Sequence, residues 1–560
     1  MILVNVITVE VIRGALEYTT EEMGIILRNS AYSANIKERM DHSCAIFDSQ
    51  GRMLAQAEHI PVHLGAMPIA VEQVMKDFEE MYPGDMFVLN DPFRGGTHLP
   101  DLTLIAPIFY NEKLVGFVVN RAHHSDIGGK TPGSMPGDAE EIFEEGLVIP
   151  PVKLMDKGII NKDVLEIILK NTRTPEIRKG DLMAQIAANN IGRKQVLKLI
   201  EKYGLTTFQE CVEAILDYSE RRMIKEIQKF PKVKVNAEDY LDDSGVDDNP
   251  IRIRVSVIIR ENELIFDFTG TDKQVRGPVN APYSVTLSAS YYVLRAVTDP
   301  TIPANHGAYR PLTVKTEKGT VVDAIPPCAV SGGNVETSQR IVDVLLKAFS
   351  QIIPDRIPAA CQGTMNNILI GGINPRNNKP FTFYETIGGG YGARPGLDGI
   401  DGIHSHMTNT MNTPIEEIEK RFPLLILKYE LRKDSGGLGK WRGGLGIERV
   451  YKLLTAAKLS VLGERHKFRP WGLKGGLPGA GGEYFVIKNN GEKITLRSKE
   501  TIWLQQGDII VIRTPGGGGY GNPIEREYKL VIEDLENEKI SKEMTRKYFR
   551  MNFKNSIRAK

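Results

Sequence analysis

Residues 90–126 gather three histidines, His98, His123 and His124, with the carboxylates of Asp101 and Asp126. The stretch opens NDPFRGGTHLPD, crosses apolar residues broken by a short polar turn, and closes NRAHHSDIGG. His98 and Asp101 lie on either side of Pro100. His123 and His124 follow the alternating run 114–119, with Asp126 just beyond. Imidazole nitrogen and carboxylate oxygen suit Zn²⁺, Mn²⁺ or Fe²⁺. The apolar runs 102–110 and 114–119, joined by Asn111, Glu112 and Lys113, read as a hairpin. Residues at the open end of a hairpin are neighbours, so such a fold would bring His98 and Asp101 together with His123, His124 and Asp126.

The elements that must position these groups follow from the apolar periods. Residues 9–37 carry Leu16, Met23, Ile26, Leu27 and Ala31 near a 3.6-residue repeat, predicting one long helix with Thr8 as its N-cap. Strand character follows, with a turn at DSQG. Asp41 sits where helix gives way to strand, and by itself reads as a turn or cap residue. His59 and His63 flank Pro61 and read as surface imidazoles. A helix over 67–82 and a short strand over 86–89 lead into the NDPFRGG loop. TPGSMPG, after the histidines, reads as a loop able to lie over a site. Residues 139–229 turn mainly helical.

The polar, acidic segment 230–250 marks a change of period from helix to strand. IRIRVSVII and residues 264–268 predict a second hairpin, residues 285–297 and 335–353 predict helices, and 364–523 reads as strands and glycine loops. Two helices, 523–536 and 541–549, precede a basic tail. The fold class is therefore mixed α/β (α+β) and multi-domain, with strand hairpins, glycine-rich loops and a helical insertion in the N-terminal half. The expected division is 1–229 with the metal site, 230–523 as a mixed strand and helix domain, and 524–560 as terminal helices and tail.

Composition narrows the function. A chain of 560 residues exceeds a single core, and its 71 basic and 70 acidic residues nearly cancel. No basic patch points to nucleic acid, and no apolar window is long enough to span a membrane. Cys44, Cys211, Cys328 and Cys361 form no C-x-x-C and read as core thiols in a reducing, cytoplasmic setting. GGKT at 128–131 is no phosphate loop, because His124 stands where the first glycine must be. GGGYG and GGGGYG read as tight turns or as loops whose amides approach a ligand. His404 and His406, two apart, read as a hydrogen-bonded pair or, on a strand, as two ligands facing one side. Neither G-x-S-x-G nor H-E-x-x-H occurs.

ERMDHSCAIFD, FVLNDPFRGGTHLPDLTLIAPIF, VVNRAHHSDIGGKTPGSMPG, CAVSGGNVETSQRIVD and RTPGGGGYGNP together resemble the hydantoinase B family, over residues 5–525. That family comprises B subunits of ATP-dependent N-methylhydantoinases, the equivalent half of 5-oxoprolinase, and alpha subunits of acetone and acetophenone carboxylases. The resemblance implies an A-type subunit in a hetero-oligomer, which binds ATP and phosphorylates the substrate oxygen. ATP would then belong to the partner and not to this chain. It also implies a divalent metal site at Asp41, His98, Asp101 and His123, with His124 and Asp126 as candidates for proton transfer or for supporting the ligands. The implied reaction opens a small cyclic amide, a hydantoin or lactam. The alternatives are the metal-dependent subunit of a ketone carboxylase and a non-catalytic scaffold.

Overall fold

Asn111 and Glu112 both adopt positive φ, 48° and 63°. Two such residues make the reversal whose twist matches that of paired strands. They join Asp101–Tyr110 to Lys113–His123 in the computed structural model, which describes residues 5–57 and 59–549. This central hairpin lies inside an antiparallel seven-stranded sheet. Its strands run in the order Met53–Ala57, His42–Asp48, Lys113–His123, Asp101–Tyr110, Met86–Leu89, Val152–Asp156 and Ile159–Ile160.

The hairpin is buried on both faces, and its period of two sorts side chains between two cores. Leu102, Leu104, Ala106, Val118 and Ala122 join Ile12, Leu16, Met23 and Leu182 beneath the helices Val6–Ser30 and Pro175–Tyr203. Ile105, Phe117 and Val119 join Val71, Val285 and Ile341 on the other face, under helices from both halves of the chain. Asp101 and His123 share the parity of this second set. Their side chains therefore face the C-terminal half.

That half holds a four-stranded sheet in which Ile251–Ile259 alternates buried and more exposed residues as its sequence predicts. Two further sheets pack on each other through Ile368, Ile370 and Phe383 on one side and Tyr451, Val486 and Ile510 on the other. The glycine-rich loops are tied to one another: Gly390 donates to Pro515, Gly517 to Gly444 and Gly444 to Tyr391, at 2.8–3.0 Å. A Cβ on Gly517 would come within 2.1 Å of the Tyr391 oxygen, so only glycine allows the approach. Among the described residues, no helix is long and apolar enough to cross a membrane.

The first helix differs from its predicted extent. Asn5, not Thr8, caps it, accepting from Ile7, and it ends at Ser30. Asp181 takes the amides of Tyr32 and Ser33 at 2.8 and 2.9 Å, and Ser33 caps a separate short helix, Ala34–Lys37. The loop 131–137 is also more confined than a free flap. Gly137 donates to Ser460 and Thr501, Ser460 donates to Met135, and Met135 is fully buried. The basic tail, 550–560, lies outside the described residues.

A buried charge network stiffens the C-terminal half. Arg465 meets Asp239 at 3.2 Å and also Asp343, while Arg340 meets Glu464 at 3.1 Å and Asp239 at 3.5 Å. Burial would raise the Asp239 carboxyl, but Arg465 and Arg340 overrule it and hold it at about 2. Removing one partner strands the others, so Arg465→Ala should cost about 3–5 kcal/mol in urea unfolding at pH 7. A depressed carboxyl stabilises the fold above its unfolded value, and that contribution is lost as pH falls through about 2. The stability gap between wild type and Asp239→Asn, measured by urea unfolding, should therefore shrink by about 2 kcal/mol from pH 5 to pH 2.

Candidate metal centre

Asp101 and His123 are the last paired residues at the hairpin's open end. His98 reaches them from the loop before the first hairpin strand, which Asn90 staples in place. The Asn90 side chain accepts from Ile149 at 2.6 Å and donates to Leu99 and Leu147 at 2.8 and 2.9 Å. Gly95, at φ 96°, passes so close to the helix Ala66–Asp77 that a Cβ would stand 2.4 Å from the Ala70 nitrogen. That close approach turns the chain toward the hairpin end.

Three atoms able to ligate a metal converge there. His98 Nε2 lies 3.2 Å from His123 Nδ1 and 3.2 Å from Asp101 Oδ1, and His123 Nδ1 lies 3.3 Å from Asp101 Oδ1. Ligand atoms about 2.1 Å from one ion stand about 3.0 Å apart when cis in an octahedron and about 3.4 Å apart in a tetrahedron. The observed spacings fall between those values. Among the described residues, this is the group of imidazole and carboxylate side chains spaced to hold a metal ion. Burial lowers the His123 imidazole, favouring its neutral form. Burial would raise the Asp101 carboxyl, but the surrounding His98, His123 and His63 hold it well below the usual range. Neutral imidazole and ionised carboxylate are the forms that bind a cation.

The rest of the wall comes from distant parts of the chain. Asp41, His63, Asn334, Tyr384, Thr386 and Thr410 help to enclose a cavity of about 20 Å³ around the triad. Asp41 accepts the His123 amide through its backbone oxygen at 3.0 Å, and its carboxylate lies 3.8 Å from buried Arg39. It lines the triad's cavity without joining the tight three-atom cluster. His63 is buried, against the surface reading of its sequence: Nε2 lies 3.4 Å from Asp101 Oδ2, and Nδ1 3.0 Å from Ser43 Oγ. Buried Ile60, Val62 and Leu64 press this segment into the core and turn the imidazole inward. Thr97 donates to Asp101 Oδ2 as well. Tyr384 stacks on His123, with centroids 4.6 Å apart, and donates to Asn367 at 2.9 Å.

His124 and Asp126 lie next in the chain but point elsewhere. His124 Nε2 is 2.9 Å from Gln185 on the helical side of the sheet, and burial, with Arg178 nearby, lowers its imidazole to about 4. Asp126 accepts from the Arg173 side chain at 2.9 Å and from the amides of Gly128, Gly133 and Arg173. Both hold the segment that follows His123. His404 and His406 share no strand face. His406 has φ 54° and sits 3.5 Å from Asp343 and 3.4 Å from Tyr292, while His404 is buried on the same loop. Lys130 of GGKT is held by Glu144 at 2.5 Å and Asp138 at 3.3 Å.

The family described as Hydantoinase B/oxoprolinase matches residues 5–523. An uncharacterised protein of Methanocaldococcus jannaschii is 50% identical over 539 residues, covering 96% of this chain and 94% of the relative. The 5-oxoprolinase 1 of Arabidopsis thaliana is 39% identical over 531 residues, 90% of this chain but 41% of the relative. The chain thus spans about two fifths of that longer protein. Among solved structures, the ATP-dependent caprolactamase from Pseudomonas jessenii superposes with a TM-score of 0.92 at 29% identity, over 98% of this chain and 96% of that one. An acetone carboxylase in its nucleotide-free state has a TM-score of 0.90 at 19% identity, over 97% and 79%, and shares the fold.

Elemental analysis of the purified chain should find about one divalent ion per molecule. His98→Ala and His123→Ala should each bring it near zero with far-UV circular dichroism unchanged. Full metal content in both variants would dismiss the triad as the site.

Proposed function

Because the chain belongs to the hydantoinase B/oxoprolinase family, we propose that it is the ring-opening, B-type subunit of an ATP-dependent cyclic amidohydrolase. An A-type partner, in a hetero-oligomer, would bind ATP and phosphorylate the amide oxygen of a hydantoin or lactam. The observation that carries this reading is the buried His98, Asp101 and His123 group, in a chain whose GGKT lysine is spent on Glu144 and Asp138. Caprolactamase and 5-oxoprolinase are both named for lactam substrates, and caprolactamase also for its ATP dependence. The four free, buried cysteines accord with a reducing compartment such as the cytoplasm.

An amide carbonyl is a poor electrophile, and phosphorylation of its oxygen creates a leaving group on the ring carbon. Water adds at that carbon, the carbon–nitrogen bond breaks with a proton passing to nitrogen to leave an acyl phosphate, and a second water releases phosphate and leaves the carboxylate. His98, Asp101 and His123, with Asp41 as a fourth ligand, would hold a Zn²⁺, Mn²⁺ or Fe²⁺ ion that supplies Lewis acidity to a bound oxygen. His63 and Thr97 keep the Asp101 carboxylate turned toward the imidazoles. Asn334 Oδ1 lines the cavity as a buried acceptor. His124 and Asp126 act by holding the chain that follows His123, through Gln185 and Arg173.

The test combines both subunits with ATP, a divalent metal and a panel of hydantoins, 5-oxoproline, larger lactams and ketones with bicarbonate. The expected products are ring-opened amino acids carrying ¹⁸O from labelled water, with ADP formed alongside. His98→Ala and His123→Ala should lower turnover by about 100-fold or more. Ketone-dependent incorporation of labelled bicarbonate would select the carboxylase instead. Unaltered turnover in both variants would sink the metal-centred mechanism for either reaction.

A further inference from the structure

The cavity around the triad, at about 20 Å³, has room for one ion or one water, which needs about 10–15 Å³ of such space. A five-membered ring with its substituents does not fit there. A second cavity of about 750 Å³, in the size range of small-molecule pockets, opens alongside. Tyr384 lines both spaces, and its ring lies against His123. Asn35, on the floor of the larger space, donates to the His123 carbonyl at 2.7 Å, and Ser125 beside it is two residues from His123.

The larger space has a specific chemistry. Phe381, Phe383, Phe422, Pro380 and Ile177 give it walls of carbon. Arg173, Lys379 and Arg421 bring three cations against the one carboxylate of Glu176. Arg173 and Arg421 are each partly spent on Asp126 and Glu417, whereas Lys379 is exposed and makes no ion pair among the described residues. The N-terminus of the helix Pro175–Tyr203 lies on the same wall, and its Thr174 hydroxyl is without a hydrogen-bond partner. Positive charge and a helix N-terminus favour an anion.

Resting on the function proposed above, we propose that this cleft receives the phosphorylated ring, an apolar ring bearing an anionic phosphoryl group, and that Tyr384 is the wall it must displace to reach the triad. The ring would sit on the phenylalanines with its phosphoryl oxygens toward Lys379. Passage requires the tyrosine to leave its stack on His123 and its hydroxyl bond to Asn367.

Cyclohexyl phosphate, a ring on a phosphate monoester, is the probe, titrated calorimetrically into the purified full-length chain up to about 10 mM, a range that detects millimolar affinity. Wild type should bind it more tightly than either inorganic phosphate or cyclohexanol. Lys379→Ala should weaken binding about 5- to 10-fold, Ile177→Trp should block it by filling the cleft, and His98→Ala should leave it unchanged. Absence of binding in wild type, equal affinity in both cleft variants, or loss in His98→Ala alone would overturn the cleft assignment. The outcome is independent of turnover. A chain that opens lactams yet ignores the probe loses only the cleft, and one that binds the probe yet never opens a ring loses only the proposed function.

Discussion

The structure depends on the period of two in the central hairpin. Each strand is buried on both faces, so every second side chain enters a different core. A shift of one residue in the Asp101–His123 pairing would send the leucines of one face into the core of the other and turn both polar groups away from the C-terminal half. The hydrophobic cost of that slip, at about 1.5–3 kcal/mol for each large side chain displaced, pins the register. The position of the metal-ligand group is thus set by the packing of residues that never touch it. The same parity turns His124 toward Gln185 and the helical layer, one residue from its neighbour and on the opposite face.

Two kinds of buried polar cluster occur in this chain, and they differ in sign. In the C-terminal half, guanidinium and ammonium groups alternate with carboxylates, and each charge meets its opposite. At the hairpin end, two imidazole nitrogens and a carboxylate oxygen point at one another. A cation satisfies all three at once, and the observed spacing is that of atoms around one ion. Buried acceptors that face each other carry a cost unless something binds between them. Arg39, buried behind Asp41 and over the Tyr384 ring, offsets part of the negative charge from outside the cluster.

The two halves of the chain are interlocked around this point. Strand and loop residues before 130 supply the triad, while Asn334, Met365, Tyr384 and Thr410 close the cavity from the other half. The loop 131–137 runs between them, its amide and carbonyl groups bonded to Ser460 and Thr501. Its glycines and prolines permit that path, and the packing then holds it. Tyr384, between His123 and Arg39, lies where the large cleft meets the small cavity.

Local residues determined much of what was legible in advance. Alternating apolar runs around Asn111 and Glu112 made the hairpin readable, and the types and spacing of His98, Asp101 and His123 named the chemistry and the end of the hairpin where it must lie. IRIRVSVII carried its own strand signature in the same way. What remained hidden depended on contacts distant in sequence. His63 looks like any histidine beside a proline, and only the burial of Ile60, Val62 and Leu64 turns it onto Asp101. The first helix ends at Ser30 because Asp181, 149 residues beyond Tyr32, claims the next amides. Tyr384 carries no local mark of its place, since a tyrosine on an alternating strand can face either side. Short-range periodicity sets which residues share a face, whereas which faces meet is decided by packing between elements that the chain brings together only when it folds.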